Sequence, residues 1–216
     1  MNFELARSNM VAQQLRTWEV LDDTVLRLFS ALPREHFVPP AYLRLAYSDT
    51  EIPLANGEVM MAPKVEARML QALAPQAQDR CLEIGTGSGF VTALLARSVS
   101  EVFSMEIDPD LLAMAKTRLR GYDRNVTTLE ADGLEGLPEQ APFDLMVFTG
   151  AIAEITPAQV DQLNLGGRLF AVVGTGSVFE ARLVTRIAEN ETATEVLFET
   201  HLPYLRGAAI KPRFTL

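Results

Sequence analysis

The run Cys81-Leu82-Glu83-Ile84, followed by Gly85-Thr86-Gly87-Ser88-Gly89, restricts the possible folds more than any other part of the chain. A short apolar run bounded by glycines reads as a buried strand. Glycines directly after it permit positive φ and let a ligand approach the backbone closely. The next residues, Phe90 to Ala96, continue as a helix. Strand, glycine loop and helix in that order open a parallel βαβ sheet, which takes its ligand at the carboxyl ends of the strands where the strand order reverses.

The rest of the chain extends this pattern. Val102-Phe103-Ser104-Met105 predicts a second strand, and Asp108-Pro109 supplies a cap and a first-turn proline for a helix towards Leu119. Val126 to Leu129, Leu145 to Phe148 and Leu169 to Val173 predict three more strands. Thr156-Pro157 opens a further helix, with Gly166-Gly167 as its expected stop. Arg182–Ile187 and Thr194–Phe198 flank the turn Glu189-Asn190-Glu191 and predict an antiparallel hairpin at one sheet edge. The expected fold is α/β, a doubly wound Rossmann-like sheet, mostly parallel, with a C-terminal antiparallel hairpin. Residues 1–216 are expected to form one domain, with 1–75 as a helical and irregular N-terminal extension. Within it, Asp22 or Asp23 caps a helix carrying Val25, Leu26, Leu28 and Phe29, and Val65 to Leu73 is amphipathic.

Charge narrows the partners. With 19 basic and 28 acidic residues the formal charge is −9, which gives no footprint for nucleic acid or an anionic membrane. The single cysteine, Cys81, excludes an intrachain disulfide and reads as a small buried hydrophobe. The N-terminus does not read as a secretory signal, and no apolar run approaches the roughly 18–20 residues of a membrane span. A cytoplasmic protein is expected, without nucleic-acid or membrane partners. His36 and His201 are isolated, so no metal site is expected, and Trp18 and the methionines read as packing.

The ligand follows from the loop and its acids. Dinucleotide folds carry G-x-G-x-x-G and place a pyrophosphate at the helix N-terminus. Here the spacing is G-x-G-x-G, with Glu83 two positions ahead of Gly85. A carboxylate beside the loop suits a cationic amino group better than a pyrophosphate, and S-adenosylmethionine carries an ammonium, a sulfonium and no phosphate. Glu106, ending the second strand, is placed to accept hydrogen bonds from ribose hydroxyls. Asp132-Gly133, after the third, offers a carboxylate to an adenine amino group. Taken singly, Glu106 reads more often as a solvated or helix-capping acid than as a ligand, and Asp132 also reads as part of an Asp-Gly turn. The expected cofactor set is Glu83, Gly85, Thr86, Gly87, Ser88, Gly89, Glu106, Ile107, Asp132 and Gly133.

Several blocks together resemble the protein-L-isoaspartate O-methyltransferase family. They are Leu32-Pro33-Arg34-Glu35-His36-Phe37-Val38-Pro39, Ala46-Tyr47-Ser48-Asp49, the segment Leu82 to Phe90, and Asp132-Gly133 with Gly136-Leu137-Pro138. Ala141-Pro142-Phe143-Asp144 and Gln162-Leu163 with Gly166-Gly167-Arg168-Leu169 complete the set. The glycine block fits many methyltransferases, whereas the Pro-Arg-Glu-x-Phe-Val-Pro and Ala-Pro-Phe-Asp blocks are particular to this family. The resemblance implies S-adenosylmethionine-dependent methylation of isoaspartyl carboxylates in damaged proteins, a first step of protein repair. A carboxylate is already ionised at neutral pH, so its attack on a methyl group needs positioning and desolvation and no general base.

One segment departs from the family. Its active-site stretch reads roughly Gly-Gln-Thr-Ile-Ser-Gln-Pro, and this chain has Gly57-Glu58-Val59-Met60-Met61-Ala62-Pro63. Val59 stands at the Thr position, Met61 at the Ser position and Ala62 at the second Gln position, so the catalytic residues are left unassigned. Val59, Met60, Met61 and Thr149 are the substrate-pocket candidates. The acceptor is thus an isoaspartyl protein or peptide, or a more apolar small molecule taken by the same fold. A non-catalytic module that binds the cofactor is the remaining alternative. The oligomeric state is not legible.

Overall fold

The computed structural model describes residues 2–209. One seven-stranded sheet runs through it in the order β5-β4-β3-β6-β7-β8-β9. Its strands are β3 (Arg80–Ile84), β4 (Glu101–Glu106), β5 (Val126–Glu130), β6 (Phe143–Ile152), β7 (Leu163–Gly174), β8 (Phe179–Ala188) and β9 (Glu191–Glu199). The first five are parallel, and β8 and β9 add antiparallel. Strands covered on both faces need continuous apolar runs, and Cys81 to Ile84 and Val102 to Glu106 are buried throughout. The expected doubly wound sheet and its edge hairpin are present. The order reverses between β3 and β6, which places the glycine loop beside the end of β6.

Helices α4 (Phe90–Ala96) and α5 (Pro109–Arg118) follow β3 and β4. Asp108 caps α5, its carboxylate accepting from the amides of Asp110 and Leu111 at 3.0 and 3.1 Å. The expected helix from Thr156 to a stop at Gly166-Gly167 is corrected. A Thr156–Gln159 capping box opens α6, but it covers only Pro157–Val160. Gly166 and Gly167 lie inside β7 instead, where the register slips between Phe143↔Leu163 and Leu145↔Arg168. The buried Gln162 directs this early turn, because its side chain bonds the backbone of Leu137, Glu135 and Ala158.

The N-terminal third supplies α1 (Phe3–Met10), α2 (Asp23–Ala31) and α3 (Pro63–Leu73), with a two-residue pairing of β1 (Ile52–Pro53) and β2 (Val59–Met60). Asp22 caps α2. Leu15, Phe29, Leu32, Phe37, Val65 and Leu70 share one buried cluster with Phe90 and Leu94 of the sheet-covering layer. Burying each such large side chain stabilises the fold by roughly 1.5–3 kcal/mol, so the segment from Leu15 to Leu70 helps form the core. Phe90, directly after that loop, meets Phe29 and Phe37 edge to face at 6.0 and 5.4 Å between ring centroids. Trp18 corrects the packing expectation: it is 37% exposed, with Lys64 lying 4.0 Å over its ring.

Candidate active site

The reversal point opens into a cleft of about 690 Å³. Ile84, Gly85 and Gly87 form its floor, Met105, Glu106 and Ile107 one wall, and Ala131 to Leu134 the far end. Thr149 and Gly150 of β6 face them, and Leu54, Glu58, Val59 and residues 202–206 close the top. A smaller cavity of about 300 Å³ adjoins it, bounded by Val59, Met60, Met61, Glu66, Thr86, Ser88 and Val91. The two share Val59, Gly85, Gly87 and Thr149.

The loop is held open from below. Gly85 and Thr86 donate their amides to the Met105 carbonyl at 2.8 and 3.1 Å. Gly85 has φ +96°, and any Cβ there would collide with the Thr149 hydroxyl. That hydroxyl donates to the carbonyls of Ile84 and Gly85 (3.0 and 2.6 Å). The loop backbone therefore packs against β6 at a distance only glycine allows.

Glu106 lies where a ribose acid is expected. Its carboxylate accepts from the amides of Gly87 (2.8 Å) and Asp108 (3.0 Å). A carboxylate has about four acceptor positions, so two remain for hydroxyl donors in the cleft. Asp132 is exposed at the far end, one oxygen held by the Leu134 amide at 3.0 Å. This donor set, with acids at both ends and no basic side chain on the loop, fits a cationic nucleoside without phosphate.

The structure places the remaining expected residues unevenly. Gly85, Gly87, Glu106, Ile107, Asp132, Gly133, Val59 and Thr149 line the main cleft. Thr86, Ser88, Met60 and Met61 line the smaller cavity. Gly89 lines neither and serves as the N-cap residue of α4 at φ +85°, against Leu119. Glu83 also lines neither. It is wholly buried, and one oxygen accepts from the hydroxyls of Thr92 (2.6 Å) and Ser104 (2.5 Å). Its other oxygen has no partner. Burial pushes its carboxyl up to about 8 against the opposing hydrogen bonds, so at neutral pH it is mostly uncharged and ill suited to an ammonium.

Two groups of residues were not expected. Arg206 crosses the cleft, donating to Glu58 at 2.9 Å and to Asp108 at 2.7 Å, while Asn56 donates to the same Asp108 oxygen at 2.6 Å. Arg206, ahead of the Leu111 amide and Asn56, draws the Asp108 carboxyl down to about 2. At Gly57 to Pro63, the expected acceptor segment, Arg34 is fully buried, paired with Glu66, and donates to the Met61 carbonyl at 2.7 Å. Arg34 lies in the family block Leu32 to Pro39, whereas Arg206 lies outside all of the family blocks. Nothing in their spacing signals which distant carboxylates they meet.

Comparison with known proteins agrees with this geometry. Residues 6–204 match the family model for protein-L-isoaspartate(D-aspartate) O-methyltransferase. The chain belongs to this family. A Xanthomonas campestris pv. campestris protein-L-isoaspartate O-methyltransferase is 38% identical over 208 residues, 96% of this chain and 92% of that one. A Koribacter versatilis relative of the same name is 38% identical over 175 residues, 80% and 78% of the two chains. Solved structures share the fold. One protein-L-isoaspartate O-methyltransferase superposes with TM-score 0.79 at 24% identity, over 94% of this chain and 66% of that longer one. A Plasmodium falciparum protein ascribed to the family, solved with S-adenosyl-L-homocysteine, gives 0.78 at 18% identity, over 95% and 98%. Membership of the family accounts for the meeting of Glu106, Asp132 and a glycine loop at one switch point.

Proposed function

We propose that the protein is an S-adenosylmethionine-dependent methyltransferase acting on isoaspartyl carboxylates of damaged proteins, in the cytoplasm, with residues 1–216 as one domain. The observation that carries this reading is the single cleft lined by Gly85, Gly87, Glu106 and Asp132. Glu106 would hold the ribose, Asp132 the adenine amino group, and the Gly85–Gly87 backbone the sulfur-bearing chain. When bound, the cofactor supplies an electrophilic methyl that passes to a carboxylate oxygen as the carbon–sulfur bond breaks, leaving a methyl ester and S-adenosyl-L-homocysteine.

The chain's own contribution is positioning and exclusion of water. Attack of an anion on a cation cancels charge on the way to the transition state, so an apolar wall that strips water from the carboxylate favours it. Val59, Met60 and Met61 form such a wall on the smaller cavity, Val59 also lines the main cleft, and Met60 and Met61 are buried. The same wall favours a second reading, a more apolar acceptor, because Val59 and Met61 stand where the family segment carries Thr and Ser hydroxyls suited to hydrogen-bonding a carboxylate.

Methyl transfer from labelled S-adenosylmethionine separates the readings. With an isoaspartyl peptide beside its normal aspartyl isomer, label on the isoaspartyl peptide alone is expected. Cofactor binding without transfer to either would keep the cleft's assignment and reject the repair activity. A cofactor-binding module without catalysis would transfer label to no acceptor at all.

A further inference from the structure

Glu83, the acid closest in sequence to the glycine loop, is turned into the sheet and bonded by Thr92 and Ser104. A different carboxylate borders the space at that end of the loop. Glu66, on α3 and 1% exposed, lines the small cavity with Gly85, Thr86, Gly87 and Ser88 on one side and Met60 and Met61 on the other. Because this cavity meets the main cleft at Val59, Gly85, Gly87 and Thr149, a ligand with its ribose at Glu106 reaches it by extending past Gly87. The part of S-adenosylmethionine that extends that way is its amino-acid end.

We propose that Glu66 is a binding residue for the cofactor's α-ammonium group, and that Arg34 positions it. This rests on the S-adenosylmethionine reading above. An ammonium brought out of water needs a charged or hydrogen-bonding partner, and Glu66 is the acid that lines this cavity. Arg34 engages one carboxylate oxygen, Oε2, through Nη1, which leaves Oε1 for a second donor. The same guanidinium holds the Met61 carbonyl at 2.7 Å and lies 4.8 Å from the centre of the Phe90 ring. Arg34 thus ties the ammonium-binding carboxylate, the acceptor segment and the helix after the glycine loop to one buried group. Breaking a buried pair on one side leaves an uncompensated charge, which is why α3 and the acceptor segment should keep their spacing.

The test is a binding cycle by calorimetry. It uses S-adenosyl-L-homocysteine and its deaminated analogue S-adenosyl-4-thiobutyrate, which lacks only the amino group. Wild type is expected to prefer S-adenosyl-L-homocysteine by about tenfold or more, the scale of a charged hydrogen bond. Glu66→Gln should reduce that preference to about twofold or less, while Glu83→Gln leaves it intact. Equal binding of the two ligands by wild type overturns the proposal without any variant, as does a preference that survives Glu66→Gln or disappears in Glu83→Gln. Failure of wild type to bind either ligand would remove the cofactor reading itself, a distinguishable result. Should Glu66→Gln fold poorly, Arg34→Lys keeps a cation beside Glu66 and should retain the preference while lowering overall affinity; loss of the preference there also counts against it.

Discussion

Single side chains set the chemistry of this cleft, and two of them make opposite kinds of prediction. Glu106 is already held by two backbone amides, so its position does not depend on ligand. Removing a charged acceptor costs about 1.5–3 kcal/mol. Glu106→Ala should therefore weaken S-adenosylmethionine binding by roughly 10- to 150-fold in calorimetry, and an unchanged affinity in a folded variant would mean the ribose lies elsewhere. Glu83 acts on stability instead. Its carboxyl is raised to about 8, mainly by desolvation, above the ordinary value near 4.3 of an unfolded chain. Between those values the folded state holds a proton that the unfolded state has lost, so the contribution is full below about pH 4 and falls as pH rises through 8. Glu83→Gln, permanently neutral, should flatten this slope. Its melting temperature should exceed that of wild type by several degrees, on the order of 5 °C, at pH 8.5 and by much less at pH 5. Equal shifts at both pH values would contradict the assignment.

At the scale of elements, the segment Gly57 to Pro63 is where this chain parts from its family, and it is held from both sides. β2 pairs with β1 through Ile52↔Met60 and Pro53↔Val59, and Arg34 grips the next carbonyl. The backbone of this segment is thus held in place, with Val59 and Met61 at the positions where the family stretch is read to carry hydroxyls. If the carboxylate acceptor still docks there, Val59→Thr with Met61→Ser should raise kcat/KM for an isoaspartyl peptide, by about 2- to 10-fold per recovered hydrogen bond of about 0.5–1.5 kcal/mol. No gain, with cofactor affinity preserved, would favour the apolar acceptor. This element also shows what was legible beforehand. Strand, loop and helix around Gly85 could be read because periodicity and glycine are local signals, and so could the caps at Asp22 and Asp108. The short α6 could not, since the Gln162 contacts that end it reach back to Leu137 and Glu135. Glu83 was misplaced for a related reason: sequence position fixes which strand end carries an acid, while its burial depends on Thr92 and Ser104 from other elements.

Across the whole molecule, the cleft is closed by segments far apart in the chain, and Arg206 is their common fastening. It joins Glu58 of the acceptor segment to Asp108 at the start of α5, with Asn56 on the same Asp108 oxygen. Tyr204, two residues earlier, anchors its own segment by donating to the Gly174 carbonyl at 2.7 Å and pairing beside Ala151. This strap borders the cleft, and its Arg206 side chain is 39% exposed and open to screening by salt. Arg206→Ala should speed S-adenosyl-L-homocysteine release, measured by stopped-flow displacement, by roughly 1.5- to 5-fold, the range of partly exposed ion pairs. Raising ionic strength should move wild type in the same direction and leave the variant nearly unaffected. The pH dependence has a definite sign. Asp108 titrates near 2 in the fold, below the ordinary aspartate value of about 3.9, so its contribution is complete above pH 4 and is lost only as pH falls towards 2. Release that is independent of pH from 6 to 8 but accelerated by salt would identify the strap as electrostatic. Release insensitive to both salt and Arg206→Ala would show that the packing of Leu202 and Leu205 closes the cleft, with the ion pairs as bystanders.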